Sequence, residues 1–211
     1  MDLDRFRQLP LMGILRGGDL SVVEPLVETL VDAGLETLEI TMNTVGASEM
    51  IRAANNVSGG RLMIGAGTVL SAGDVKRASN AGAGFIVSPV LVEEVANECS
   101  TRQLPSFPGA LTPSEVFKAW QAGAAMVKVF PASAFGPGYL RELKGPFDDV
   151  SLLACGGVNA DNASEFLAAG ASALAFGGSI FSPRRLEERD FGAIAADVSA
   201  LVDSTKRAGH A

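Results

Sequence analysis

"DAGLETLEI", residues 32–40, reads as a helix end, an Ala-Gly stop and then an apolar strand. The glycine supplies the left-handed backbone that ends a helix. The same phrase returns as "NAGAGFIVS" (80–88), "QAGAAMVKV" (121–129) and "AAGASALAF" (168–176). Between these lie four more apolar runs: "LMGILR" (11–16), "RLMIGAGT" (61–68), "LPSFPG" (104–109) and "SLLACGG" (151–157), making eight short strand candidates. Helical patterns intervene, among them "SVVEPLVETLV" (21–31), "TPSEVFKAW" (112–120) and "ADNASEFLA" (160–168), several opening on Ser, Thr or Asp as caps. Alternating strand–helix units with apolar strands predict a parallel sheet covered by helices. An open doubly wound sheet is the alternative, but eight roughly equal units favour closure into a compact (β/α)₈ barrel of the α/β class. The chain, 211 residues long, is short for that fold, so helices and loops must be lean. The expectation is one barrel domain over residues 1–211 with a short N-terminal helix, since no linker, low-complexity tract or charge run marks a second domain.

Hydrophobic residues make up 47% of the chain and charged residues 19%, enough for a sizeable core. No apolar run is long enough to span a bilayer, so no membrane role is expected. The start, "MDLDRFRQLP", carries acidic residues and no apolar core, so no secretory signal is visible. Only Cys99 and Cys155 are present, far apart, which suits a reducing cytoplasm. A net charge of −7 without any Lys/Arg cluster argues against a nucleic-acid partner. The single histidine, His210, is next to last, which argues against histidine metal sites and histidine bases. The chemistry must then use Lys, Glu/Asp, Cys or backbone, and neither metal nor cofactor is expected.

In a closed barrel, function belongs to the C-terminal ends of the strands. Those ends offer Arg16, Glu39 with Thr41 and Asn43, Thr68, Ser88-Pro89, Pro108-Gly109, Lys128, Gly156-Gly157, and Gly177-Gly178 before Ser179. Lys128 stands in a strand whose neighbours, Met126, Val127, Val129 and Phe130, leave no polar alternation. That pattern marks a strand buried on both faces, where an amine needs a partner or a job. Lys128 and Glu39 fall on two even-numbered strand candidates, which can place both side chains in one interior layer. A buried amine near a carboxylate can lose its proton and attack carbonyls; the bland alternative is an internal salt bridge, and Glu39 alone could be a solvent-facing carboxylate. The two glycine pairs follow the last two strands, where barrels commonly hold phosphate through backbone N–H groups and helix N-termini. Arg16 either adds a cation there or is a surface arginine. Thr68 either orients a substrate oxygen or serves only its Gly-rich turn. Cys155 reads as a small core residue, Trp120 and Tyr139 as packing residues, Asp148 and Asp149 as a solvated loop.

From about Leu9 to Pro183 the chain resembles the class I aldolases that cleave 2-keto-3-deoxy-6-phospho sugar acids. The resemblance rests on "GILRG", "LEITMNT", "IGAGTVL", "FIVSP", "PG", "VKVFPAS", "GGV" and "GGS", in that order. It implies Lys128 as the Schiff-base lysine and Glu39 as the proton-transfer residue. It implies that Arg16, Thr68, Pro89, Phe130, Gly156, Gly157, Gly178 and Ser179 bind the substrate, and that the compact barrel is a homotrimer. Asn43 and "ASAFGPGYL" look more like the phosphogalactonate than the phosphogluconate branch, while Cys155 matches neither. The partners so implied are a phosphorylated 2-keto-3-deoxy sugar acid and pyruvate. A 4-hydroxy-2-oxoglutarate aldolase using the same lysine and a non-catalytic barrel for a phosphorylated metabolite are the alternatives.

Overall fold

The computed structural model describes residues 1–208; His210, and the expectation built on it, lie outside the described residues. Each Ala-Gly phrase ends a helix as its reading requires, with Gly34, Gly82, Gly123 and Gly170 all at positive φ. After a short helix α1 (Leu3–Gln8) the chain alternates: β1 (Leu11–Leu15), α2 (Leu20–Asp32), β2 (Thr37–Thr41), α3 (Ala47–Ser58), β3 (Met63–Gly67), α4 (Ala72–Asn80), β4 (Ile86–Val87) and α5 (Glu93–Thr101). It continues with β5 (Ser106–Phe107), β6 (Gly109–Ala110), α6 (Pro113–Gln121), β7 (Val127–Val129), α7 (Pro137–Lys144), β8 (Leu152–Cys155), α8 (Ala163–Ala168), β9 (Ala173–Phe176), α9 (Pro183–Glu187) and α10 (Phe191–Ala208). Caps behave as their chemistry suggests. Thr112 and Glu115 form a reciprocal capping box at α6, and Asp19, Ser71 and Ser182 cap α2, α4 and α9. Among the described residues no helix is long and apolar enough to cross a membrane.

All pairings are parallel, in the order β5-β4-β3-β2-β1-β9-β8-β7-β6. The two segments at the ends of that order are separated in sequence only by Pro108, so the sheet closes on itself. The fifth strand position is thus split in two, giving nine segments where the sequence suggests eight. The cause is local: proline has no N–H to donate to a ladder. Its carbonyl still serves the ring, accepting from the Lys128 N–H at 2.9 Å.

Two cores follow from alternation along each strand. In β7 and β8 the residues Val127, Val129, Leu152 and Ala154 face the helices, while Leu153, Cys155 and, just before β7, Met126 face the barrel interior. The lower interior is aromatic. Phe107 packs edge-on against both Phe6 of α1, at 6.1 Å, and Phe85, at 5.8 Å between ring centroids. Phe6 therefore plugs the floor of the barrel, and the polar strand ends lie at the opposite mouth. Room for the Phe85 ring comes from Gly65: a Cβ there would stand 2.4 Å from two ring carbons. Gly65→Ala overpacks a ring that Phe107 prevents from retreating. The expected loss is about 1–3 kcal/mol of unfolding free energy, read by urea denaturation; an unchanged midpoint would show that the interior can adjust.

Candidate functional site

Lys128 and Glu39 both point into the upper barrel interior and are 7% and 1% exposed. Lys128 pairs in register with Gly109 and Leu153, and Glu39 with Ile14 and Gly65. Their charges attract across the interior, yet among the described residues no hydrogen bond or ion pair joins them. The internal salt bridge is therefore not what is built. Lys128 instead meets soft partners: its amine lies 5.2 Å from the Phe130 ring centroid and close enough to the Cys155 thiol to act on its charge. Neither partner neutralises a cation as a carboxylate would.

Both Glu39 carboxylate oxygens are buried and without a hydrogen-bond partner among the described residues. Burial pushes this carboxyl above the ordinary glutamate value of 4.5, while Lys128 and Arg16 pull the other way. A glutamic acid so placed holds its proton more tightly than an exposed one and can still return it. Its seat is created by Gly67, where a Cβ would lie 2.3 Å from Glu39 Oε1.

Three loops converge above this pair. Arg16, following β1, donates to Asn43 Oδ1 at 3.1 Å and to Thr68 Oγ1 at 3.2 Å. Both acceptors are neutral, so the guanidinium keeps its charge. Thr68 adopts φ +55°, a strained choice for a β-branched residue, which aims its hydroxyl at Arg16. Beneath Arg16, the Gly17 N–H donates to Thr44 Oγ1, which bonds Thr41 Oγ1, tying the first two loops together.

A cavity of about 350 Å³ opens beside Arg16, lined by Phe130, Cys155, Gly156, Gly157, Val158, Gly178 and Ser179 among others. Around its far end the N–H groups of Gly157, Gly178 and Ser179 find no acceptor among the described residues. The helices beyond, α8 and α9, have only six and five residues, so loop N–H groups rather than helix ends supply the donors. Phe130, followed by a cis peptide to Pro131, divides the mouth. Pro89 lies on its other side, lining a separate hollow of about 280 Å³ with Gly109 and Leu111.

The structure thus gathers Arg16, Phe130, Gly156, Gly157, Gly178 and Ser179 around one cavity, with Thr68 tied in through Arg16 and Lys128 and Glu39 below. Only Pro89 stands apart. Cys155 is the small buried core residue its sequence reading expects, and it also lines the cavity beside Lys128. Burial pushes its thiol up to about 11, although Lys128 opposes this, so it is a neutral wall. Asn43, which the sequence placed among the polar strand ends and as a branch difference, takes its role from a contact with Arg16 that spans two strands and leaves no local signal.

Residues 3–196 match the family described as KDPG and KHG aldolase. The chain is 34% identical over 200 residues to the 2-dehydro-3-deoxy-6-phosphogalactonate aldolase of Escherichia coli K12, covering 94% of this chain and 98% of that one. It is 33% identical over 184 residues to the 2-dehydro-3-deoxy-phosphogluconate aldolase of Pseudomonas aeruginosa, covering 87% and 81%. Among solved structures, a Legionella pneumophila KDPG aldolase with pyruvate captured as a covalent carbinolamine superposes with a TM-score of 0.85. It shares 27% identity and covers 93% of this chain and 95% of that one.

The buried carboxyl has a consequence for stability. Below the ordinary glutamate value Glu39 is protonated in both folded and unfolded chains, and ionisation costs nothing. As pH rises from 4.5 through its raised folded value, the unfolded chain releases the proton first, so stability falls. Glu39→Gln cannot ionise. The variant should therefore gain on the wild type as pH rises above the ordinary glutamate value of 4.5, measured by urea unfolding as a function of pH; a constant difference would mean that Glu39 titrates normally.

Proposed function

Because the chain belongs to the KDPG and KHG aldolase family, we propose that Lys128 is the Schiff-base residue through which it works as a class I aldolase. The enzyme is a lyase that cleaves a 2-keto-3-deoxy-6-phospho sugar acid, phosphogalactonate or phosphogluconate, to pyruvate and glyceraldehyde 3-phosphate. The observation that carries the assignment of Lys128 is a buried amine without a carboxylate partner, with an unpartnered carboxyl in the same interior layer.

The free amine of Lys128 adds to the C2 ketone, and loss of water leaves a cationic imine. That imine draws in the electron pair of the C3–C4 bond as it breaks, giving an enamine. Glu39 takes the C4 hydroxyl proton, directly or through one water, so the leaving fragment departs as an aldehyde. The same carboxyl then returns the proton to C3, and water hydrolyses the imine to release pyruvate and the amine. A carboxyl whose acidity is weakened by burial suits both halves of this exchange.

Arg16 with Thr68, and the Gly156-Gly157 and Gly178-Ser179 loops, hold the two charged ends of the substrate. The unpaired N–H groups at the far end of the cavity support a phosphorylated substrate over 4-hydroxy-2-oxoglutarate. Buried free thiols at Cys99 and Cys155 fit a cytoplasmic enzyme. Exposed apolar side chains around the mouth, including Val45, Val90 and Phe135, support assembly as a homotrimer. Light scattering should then give three times the chain mass, and a monomeric mass would remove that reading.

Pyruvate with borohydride should add mass to the peptide containing Lys128 and inactivate the enzyme. Label on Lys118 or Lys144 would end the assignment. Lys128→Arg should trap nothing, because a guanidinium stays protonated. Glu39→Gln should still trap pyruvate but turn over roughly 10²–10⁴-fold more slowly. Inorganic phosphate should compete with the phosphorylated substrate and leave 4-hydroxy-2-oxoglutarate cleavage untouched.

A further inference from the structure

The Gly156-Gly157 pair at the end of β8 has φ values of +104° and +75°. Two consecutive glycines impose no direction on their peptide planes, so something else must. The Asn162 side chain does this from outside the cavity. Its Nδ2 donates to the Gly157 carbonyl at 2.9 Å, and its Oδ1 accepts from the Asn159 N–H at 2.9 Å. One neighbour offers only an acceptor and the other only a donor, so the amide has a single orientation. Asn159 braces the loop in return, its Oδ1 accepting from the N–H groups of Asp161 at 2.9 Å and Asn162 at 3.2 Å. Ser133 closes the other side: a Cβ on Gly157 would stand 2.8 Å from the Ser133 Cβ.

The Gly157 carbonyl and the Val158 N–H belong to one planar trans peptide and point in opposite directions. A carbonyl held outward by Asn162 therefore turns the Val158 N–H the other way. Val158 is 1% exposed and lines the cavity, and its N–H has no acceptor among the described residues. A buried N–H without an acceptor is rare in folded proteins and marks a place where a ligand oxygen belongs.

We infer that Asn162 is a positioning residue which fixes the Gly157–Val158 peptide so that the Val158 N–H, beside that of Gly157, receives the phosphate end of the substrate. The inference rests on the aldolase reading for the identity of the substrate, but not for the geometry of the clamp. Asn162 touches neither Lys128 nor the reacting carbons, so its loss acts on binding of the phosphorylated end alone.

Asn162→Ala should raise KM for 2-keto-3-deoxy-6-phosphogalactonate and the inhibition constant of inorganic phosphate by about tenfold each. Turnover at saturation, borohydride trapping of pyruvate on Lys128 and cleavage of 4-hydroxy-2-oxoglutarate should stay within about twofold. Asn162→Ser, too short to reach the Gly157 carbonyl, should behave alike and serves if the alanine variant folds poorly. An unchanged KM, an equal rise for both substrates, or loss of folding in both variants would overturn the inference. If the wild type traps no pyruvate, the aldolase reading fails instead. Calorimetric titration of inorganic phosphate into wild type and variant then still decides the clamp, and equal affinities would refute it.

Discussion

A closed ring of parallel strands has an inside that the surrounding helices do not cover, and side chains pointing inward must fill it. Here that constraint is met unevenly along the barrel axis. The lower part is filled by Phe85, Phe107 and the inserted Phe6, with Gly65 giving way to one of the rings. The upper part holds shorter or chemically active groups, namely Cys155, Lys128 and Glu39. With the floor plugged, the polar mouth is the end at which a cavity opens, lined by Phe130 and Arg16.

Placing two ionisable groups in that interior is costly, since each loses water that the protein does not fully replace. A direct salt bridge would reduce the cost and disarm both groups. The structure keeps them apart instead. Glu39 has no hydrogen-bond partner among the described residues, and Lys128 faces a thiol and an aromatic ring. The rest of the fold absorbs the expense through an apolar core that surrounds every strand. The Glu39 seat also depends on a missing side chain at Gly67, one strand away.

Where the sequence was readable, the reason was a strong local rule. Ala-Gly before an apolar run announces a helix end and a strand, and all four copies do this. Lys128 stood out because a charge in a uniformly apolar strand needs either a partner or a job. Contacts that depend on register across strands left no such trace. Cys155 could not be told from a core cysteine until β7 and β8 were aligned, and Asn43 meets Arg16 only because β1 and β2 end at the same height. Pro89 follows the neighbouring strand closely enough to suggest the cavity, but Phe130 separates it from the rest. Pro108 splits its strand through a missing N–H, an effect visible only once the ring closes.

The neutral grip on Arg16 matters for an acidic protein that takes an anionic substrate. Asn43 and Thr68 hold the guanidinium with oxygens that carry no net charge, so its unit charge is not cancelled. The molecule as a whole, at −7, repels an approaching sugar acid. Dissolved ions screen that repulsion beyond a Debye length of about 8 Å at physiological ionic strength, whereas Arg16 acts on an oxygen in contact with it. Modest salt therefore quiets the long-range repulsion more than it weakens the final grip, and the encounter is governed by the mouth of the barrel and not by its surface.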